Sequence, residues 1–186
     1  MAYYGVSNVV VAEYDAATGK YKSGAILEAV GTSVTPGYSE GTMYLDNKLG
    51  IQRKMFKQAD VTGEVGSIPL SVAAMMYGHT YDASKKAMTC KTDDKPPYCG
   101  YGFSGCEAID DDTDTYTACW IYKVKFAEGE DSYTTRGENI TFNSQKFSGT
   151  AVGAKDKTWR DIQQFDTEDE ALAWLTEKAC ITEVAA

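Results

Sequence analysis

The clearest pattern in the chain is an alternation of period two, the signature of strands half buried on one face. In Trp120-Ile121-Tyr122-Lys123-Val124-Lys125-Phe126 the even positions are Trp120, Tyr122, Val124 and Phe126, and two of the odd ones are lysines. This predicts a strand with its aromatic and apolar residues on one face. Asn139-Ile140-Thr141-Phe142-Asn143 repeats the pattern with Ile140 and Phe142, and both segments suit an antiparallel sheet. Further strands are expected over 7–14, 24–35, 59–65, 98–109 and 158–165. Turn chemistry separates several of them, at Ala17-Thr18-Gly19-Lys20 and at the acidic Asp110-Asp111-Asp112-Thr113-Asp114. Short strands at this spacing indicate an antiparallel β-sandwich or barrel.

Two helices punctuate the sheet. Near 167–179, Thr167 is placed to cap and Glu170 stands three residues on, with Asp166, Glu168 and Asp169 at the positive helix end. Ala171, Leu172, Trp174, Leu175 and Ala179 recur at helical spacing, so one face packs on the sheet. The other helix starts after Pro69, runs through Leu70, Val72, Met75 and Met76, and ends at Gly78. The fold class is therefore mainly β with a flanking helix (α+β). Residues 39–58 show little clean alternation; Asp46-Asn47 suggests a turn, and Arg53, Lys54 and Lys57 give local positive charge. Such a stretch is either a long projecting loop or hairpin, a common contact device, or in part an extension of a strand.

With 186 residues, 43% hydrophobic and 24% charged, the composition is that of a globular protein, and a single domain spanning 1–186 is expected. No apolar run approaches the length of a membrane-spanning helix. The start Met1-Ala2-Tyr3-Tyr4-Gly5 lacks the basic and apolar regions of a signal peptide, which gives an expectation of the cytoplasm. A net charge of -9 argues against binding nucleic acid, because a binder sets Lys and Arg against phosphates. It leaves open a protein that DNA slides past.

The chemistry is sparse. Five cysteines show no Cys-x-x-Cys pair and are expected as free thiols. Cys99, Cys106 and Cys119 are the candidate zinc set, but they lack the close pairing of structural sites, so no metal or cofactor is expected. His79 is the single histidine, and beside Gly78 its imidazole is expected to bond terminal helix carbonyls. No nucleophile elbow or Walker-type phosphate loop occurs, and residues 100–105, although their glycines have the G-x-G-x-x-G spacing, read as a glycine-rich strand. Asp110, Asp112 and Asp114 open like a calcium loop, but Thr115 and Ile121 stand where glycine and glutamate belong. Glu128-Gly129-Glu130-Asp131 is a charged turn. An enzyme is not expected. Thirteen tyrosines, Tyr98 and Tyr101 among them, suit either a protein interface or a carbohydrate- or receptor-binding β module.

Several blocks resemble the major tail protein family (phi13-type) of long-tailed phages and prophages of Gram-positive bacteria. They are Ala2-Tyr3-Tyr4-Gly5-Val6, Gly37-Tyr38-Ser39-Glu40-Gly41 with Tyr44-Leu45-Asp46-Asn47, Ala59-Asp60-Val61-Thr62 and Tyr77-Gly78-His79. There follow Gly100-Tyr101-Gly102-Phe103, the Trp120 to Phe126 block, Gly137-Glu138-Asn139-Ile140-Thr141-Phe142 and Phe165-Asp166-Thr167-Glu168-Asp169-Glu170-Ala171-Leu172. The similarity spans nearly the whole chain in order and spacing, and is poorest over 85–97.

The resemblance implies a tail-tube fold, six subunits per ring, and rings stacked into the tube of a siphophage virion through which DNA passes during ejection. It implies copies of the same chain as partners, a tape-measure protein in the lumen, and tail terminator and distal tail proteins at the ends. Within that picture residues 39–58 are expected at contacts between subunits or rings. Met43, Tyr44, Leu45, Met55 and Phe56 would be the apolar anchors and Asp46, Asn47 and Arg53 the polar partners. The acidic balance is expected either in part on the channel wall or as a general acidic surface that keeps the protein soluble.

Overall fold

The computed structural model describes residues 2–45, 48–109, 113–133, 135 and 143–181. Its elements are β1 (Ala2–Asp15), β2 (Lys20–Leu27), β3 (Ala29–Leu45), β4 (Lys48–Val65), α1 (Leu70–Tyr77), β5 (Thr80–Asp82) and β6 (Ala87–Thr89). They continue with β7 (Cys99–Ala108), β8 (Asp114–Glu128), β9 (Gln145–Ala151), β10 (Arg160–Phe165) and α2 (Glu168–Lys178). The protein is mainly β. Its large sheet runs β2-β1-β7-β8-β9-β4-β3 with β10 on the remaining edge of β8, and β5 and β6 pair separately. Every ladder is antiparallel.

The two ends of this path, β2 and β3, are joined through Glu28 alone, so the sheet must curl until its edges meet. Hydrogen bonds across the interior agree: the hydroxyls of Thr32 on β3 and Tyr101 on β7, far apart along the path, share a bond of 2.7 Å. The corner is held by the Gly66 N–H donating to the Glu28 carbonyl at 3.0 Å. The result is a barrel with an unpaired seam, filled by Val9, Val11, Val61, Val65, Ile121 and their neighbours and flanked by Met76 and Tyr77 of α1. At its centre Tyr101, Phe126 and Phe147 meet edge to face with centroids 5.4–5.8 Å apart, the geometry that aromatic quadrupoles favour.

A second core lies outside the barrel wall, where Val10, Ala12, Ala118 and Trp120 are covered by Ala171 and Leu175 of α2 and by Ala179 at its C-terminal cap. This explains the unbroken apolar run Val9-Val10-Val11-Ala12 in β1, all of it fully buried: successive residues face opposite cores. The Gly100-Tyr101-Gly102 pattern is the complement. Tyr101 points inward, while a Cβ on Gly100 or Gly102 would meet the Trp120 ring at 2.4 or 2.6 Å. The indole lies on bare backbone, and its Nε1–H donates to the Tyr21 hydroxyl at 3.1 Å.

The expected single face of β8 is corrected. Trp120 and Tyr122 face α2, whereas Val124 and Phe126 face the barrel interior with Ile121. The register explains it: Tyr101 pairs with Ile121 but Cys99 with Val124, so β8 carries one extra residue there, and a bulge flips the alternation. The expected strands at 7–14, 59–65, 98–109 and 158–165 are found, most of them longer or shorter by a few residues. The one at 24–35 is divided at Glu28 between β2 and β3. Residues 139–142 of the Asn139 strand and Asp110, Asp111 and Asp112 of the acidic turn lie outside the described residues. All five cysteines are free thiols.

Both helices form as expected. Gly78 closes α1 in the left-handed region at φ 79°, and Thr167 Oγ1 accepts from the Glu170 N–H at 3.3 Å at the start of α2. A polar tie then fixes α2 to the wall. Lys178 Nζ donates to Asp161 Oδ2 at 2.8 Å and to the Tyr122 hydroxyl at 3.1 Å, and that hydroxyl donates to Asp161 at 2.5 Å. Burial alone would raise the Asp161 carboxyl, but Lys178 and Tyr122 outweigh it and hold it below its ordinary value.

Two predictions follow from these packings. Trp120→Ala should cost about 3–5 kcal/mol by urea unfolding, since the ring fills the second core. Asp161→Asn should cost about 1 kcal/mol at neutral pH, a modest figure because the pair is 29% and 36% exposed. With the folded carboxyl titrating below the unfolded value of about 3.9, the contribution is present above that pH and lost as pH falls through the folded value. The stability gap between wild type and variant should therefore close under acid.

Candidate assembly surface

Ala59 pairs with Ala151 of β9 on one side and Pro36 of β3 on the other. Beyond that point β3 and β4 pair only with each other, out to the Leu45 and Lys48 pair. At about 3.3 Å per residue the two-stranded ribbon reaches about 30 Å. Residues 39–45 and 48–58 are thus the greater part of a hairpin arm continuous with the sheet, so of the expected alternatives the hairpin and the strand extension both apply and the projecting loop does not.

Directly opposed residues in an antiparallel pair share a face. Met43 opposes Ile51, Arg53 opposes Gly41 and Met55 opposes Ser39, so Met43, Ile51, Arg53 and Met55 form one side of the arm. Met43, Ile51 and Met55 are 54%, 51% and 67% exposed, an apolar stripe in water interrupted by Arg53 and bordered across the ribbon by Gly41 and Ser39. Among the described residues Arg53 has no ion pair or side-chain hydrogen bond. On the opposite side the charged residues Lys54 and Glu40 satisfy each other. Lys54 Nζ lies 2.6 Å from Glu40 Oε1 and 5.2 Å from the centre of the Tyr38 ring, and the Glu40 hydrogen bond raises the Lys54 pKa.

The structure brings Met43, Arg53 and Met55 together and adds Ile51, which sequence reasoning missed. The signal was present, because Ile51, Arg53 and Met55 alternate, but Phe56 directly after Met55 obscured the period. Tyr44 is exposed and, by strand alternation, lies on the Tyr38 side. Leu45 ends β3, and Asp46 and Asn47 lie outside the described residues. Phe56 has another task. Turned away from the stripe, it stacks on Trp159 with centroids 4.6 Å apart and planes 16° from parallel, while Tyr38 meets it edge on at 6.3 Å. These rings pin the root of the arm to the barrel.

A scan against protein-family models and a search of curated proteins both find no match to this chain. The arm's chemistry therefore stands on its geometry. An isolated two-stranded hairpin is marginal in water, and an exposed edge with methionines beside it is adaptable to an apolar partner.

Phe56→Ala should loosen the root by about 0.5–1.5 kcal/mol, the contribution of one aromatic pair beyond area burial. Limited proteolysis should then cut within 39–58 faster than in wild type while the barrel fragment persists. Single polar substitutions at Met43 or Met55 should leave stability within about 0.5 kcal/mol, because both side chains are exposed.

Proposed function

We propose that the protein is a structural virion subunit, the repeating unit of a phage tail tube that assembles into stacked hexameric rings. The observation that carries this reading is the hairpin arm: a ribbon extending beyond its own sheet with a water-exposed apolar stripe, on a barrel whose seam leaves β2 and β3 with unpaired edges. A head-to-tail contact places a projecting element of one subunit on a different surface of the next, and such contacts close into rings or extend into filaments according to their rotation. Neighbouring copies that pair the free edges would bury them, which removes a standing aggregation hazard.

The sequence resemblance to major tail proteins supplies the particular assembly. On that reading the protein acts in the virion tail after assembly in the host cytoplasm, with a tape-measure protein in the lumen and terminator and distal tail proteins at the ends. It is not an enzyme. The net charge of -9 suits a wall that DNA passes without being held.

Negative-stain electron microscopy of purified protein, beside light scattering over a concentration series, should reveal rings or hollow tubes. A Met43→Asp, Met55→Asp double variant should remain a folded monomer at concentrations where wild type assembles. Assembly by the double variant at wild-type concentration would refute the arm's role. A wild-type monomer that stays single even with distal tail proteins, yet retains a glycan, would replace the reading with a binding module.

A further inference from the structure

His79 does not bond helix carbonyls through its ring. Its Nδ1 stands 2.7 Å from Asp94 Oδ2 and its Nε2 2.8 Å from Glu128 Oε1, with the side chain only 10% exposed. The backbone alone serves the helix end, where the His79 N–H donates to the Ala74 carbonyl at 3.0 Å. Cys90, the residue after β6, brings its Sγ into the same cluster, and one donor atom each from His79, Cys90 and Glu128 lies within 4.8 Å of the others. By contrast, Cys99, Cys106 and Cys119 join no such group among the described residues.

The cluster is assembled by the segment over 85–97, where the sequence resemblance to major tail proteins is poorest. Gly78 permits this: a Cβ there would come within 2.3 Å of the Lys95 carbonyl oxygen, so the segment is pressed against the end of α1. Asp94 is held in turn by the Lys91 N–H at 2.8 Å, which fixes the carboxylate that orients the imidazole. Glu128 arrives from the far end of β8.

We propose that His79 Nε2, Cys90 Sγ and the Glu128 carboxylate form a binding site for a zinc-class divalent ion, with Asp94 orienting the His79 ring and water as fourth ligand. Imidazole, thiolate and carboxylate together are a borderline-soft donor set that matches zinc. A carboxylate on the distal histidine nitrogen is the usual outer-shell partner of such a ligand. With zinc bonds of about 2.0 Å to nitrogen and oxygen and about 2.3 Å to sulfur, tetrahedral donors stand about 3.3–3.6 Å apart. Adopting that spacing would take side-chain rotation at Cys90 and Glu128, both of which are exposed. Partial desolvation, then the charges of Glu128 and Asp94, push the Cys90 thiol above its ordinary value; a bound cation reverses that balance and takes the thiolate. Such an ion would clamp the 85–97 segment to the barrel wall.

Zinc titrated calorimetrically into tag-free full-length protein at neutral pH should bind at one ion per chain and raise the melting temperature. Cobalt in its place should give the charge-transfer band of a thiolate ligand. Cys90→Ser should remove that band, and Cys90→Ser and Glu128→Gln should each weaken zinc at least about tenfold. Asp94→Asn should weaken it about 10–100-fold, and Cys180→Ser, at an exposed cysteine outside the cluster, should leave it unchanged. Absence of zinc binding by wild type overturns the site. Binding that survives Cys90→Ser undiminished, or a cobalt complex without the thiolate band, marks an adventitious ion only and overturns it equally. Melting curves of the metal-free variants establish that each is folded.

Discussion

The bulge in β8 opposite Gly100 is the constraint on which the architecture depends. A regular strand presents one face to one layer, and β8 must serve two. Its first half lays Ala118 and Trp120 beneath α2 and its second half sends Val124 and Phe126 into the barrel. Along the first half β8 pairs with β10, and along the second with β9. The one-residue slip changes the facing side close to where the neighbouring strand changes. Without it, Lys123 and Lys125 would enter the barrel in place of Val124 and Phe126, or Trp120 would turn away from α2. The glycines of β7 complete the arrangement, since Trp120 can lie flat only where its neighbour has no side chain.

Much of this was legible in the sequence and some was not, for physical reasons tied to particular residues. Thr167, Gly78 and Pro69 announce helix ends because capping is local chemistry. The Trp120 strand was recognisable, but its bulge was not, since a bulge is set by the partner's register rather than by the strand's own residues. β9 escaped detection because the middle of its inward face is Gly149, where a Cβ would meet Val124 Cγ1 at 2.8 Å. Filling that space from β8 erases the alternation in Gln145-Lys146-Phe147-Ser148-Gly149-Thr150-Ala151.

The candidate surfaces divide the same way. Exposed methionines at 43 and 55 stood out against a polar stretch, yet only the register showed which residues share their side and that Phe56 belongs to the root. The His79 cluster could not be foreseen, because Cys90, Asp94 and Glu128 reach the imidazole through tertiary contacts between a helix end, an irregular segment and a strand terminus. Nothing in their spacing resembles a metal knuckle.

The arm is also a lever with a particular mechanical coupling. β4 runs without interruption from the ribbon into the barrel, where residues Ala59 to Val65 pair with β9. A pull along the arm is directed along the strand axis, so the hydrogen bonds of that ladder are loaded together in shear rather than opened one after another as in peeling. β3 carries the other half of the load to Glu28 and thence into β2. Tension on one projecting ribbon is thereby spread over both edges of the sheet, so the arm can bear load without unzipping at its root.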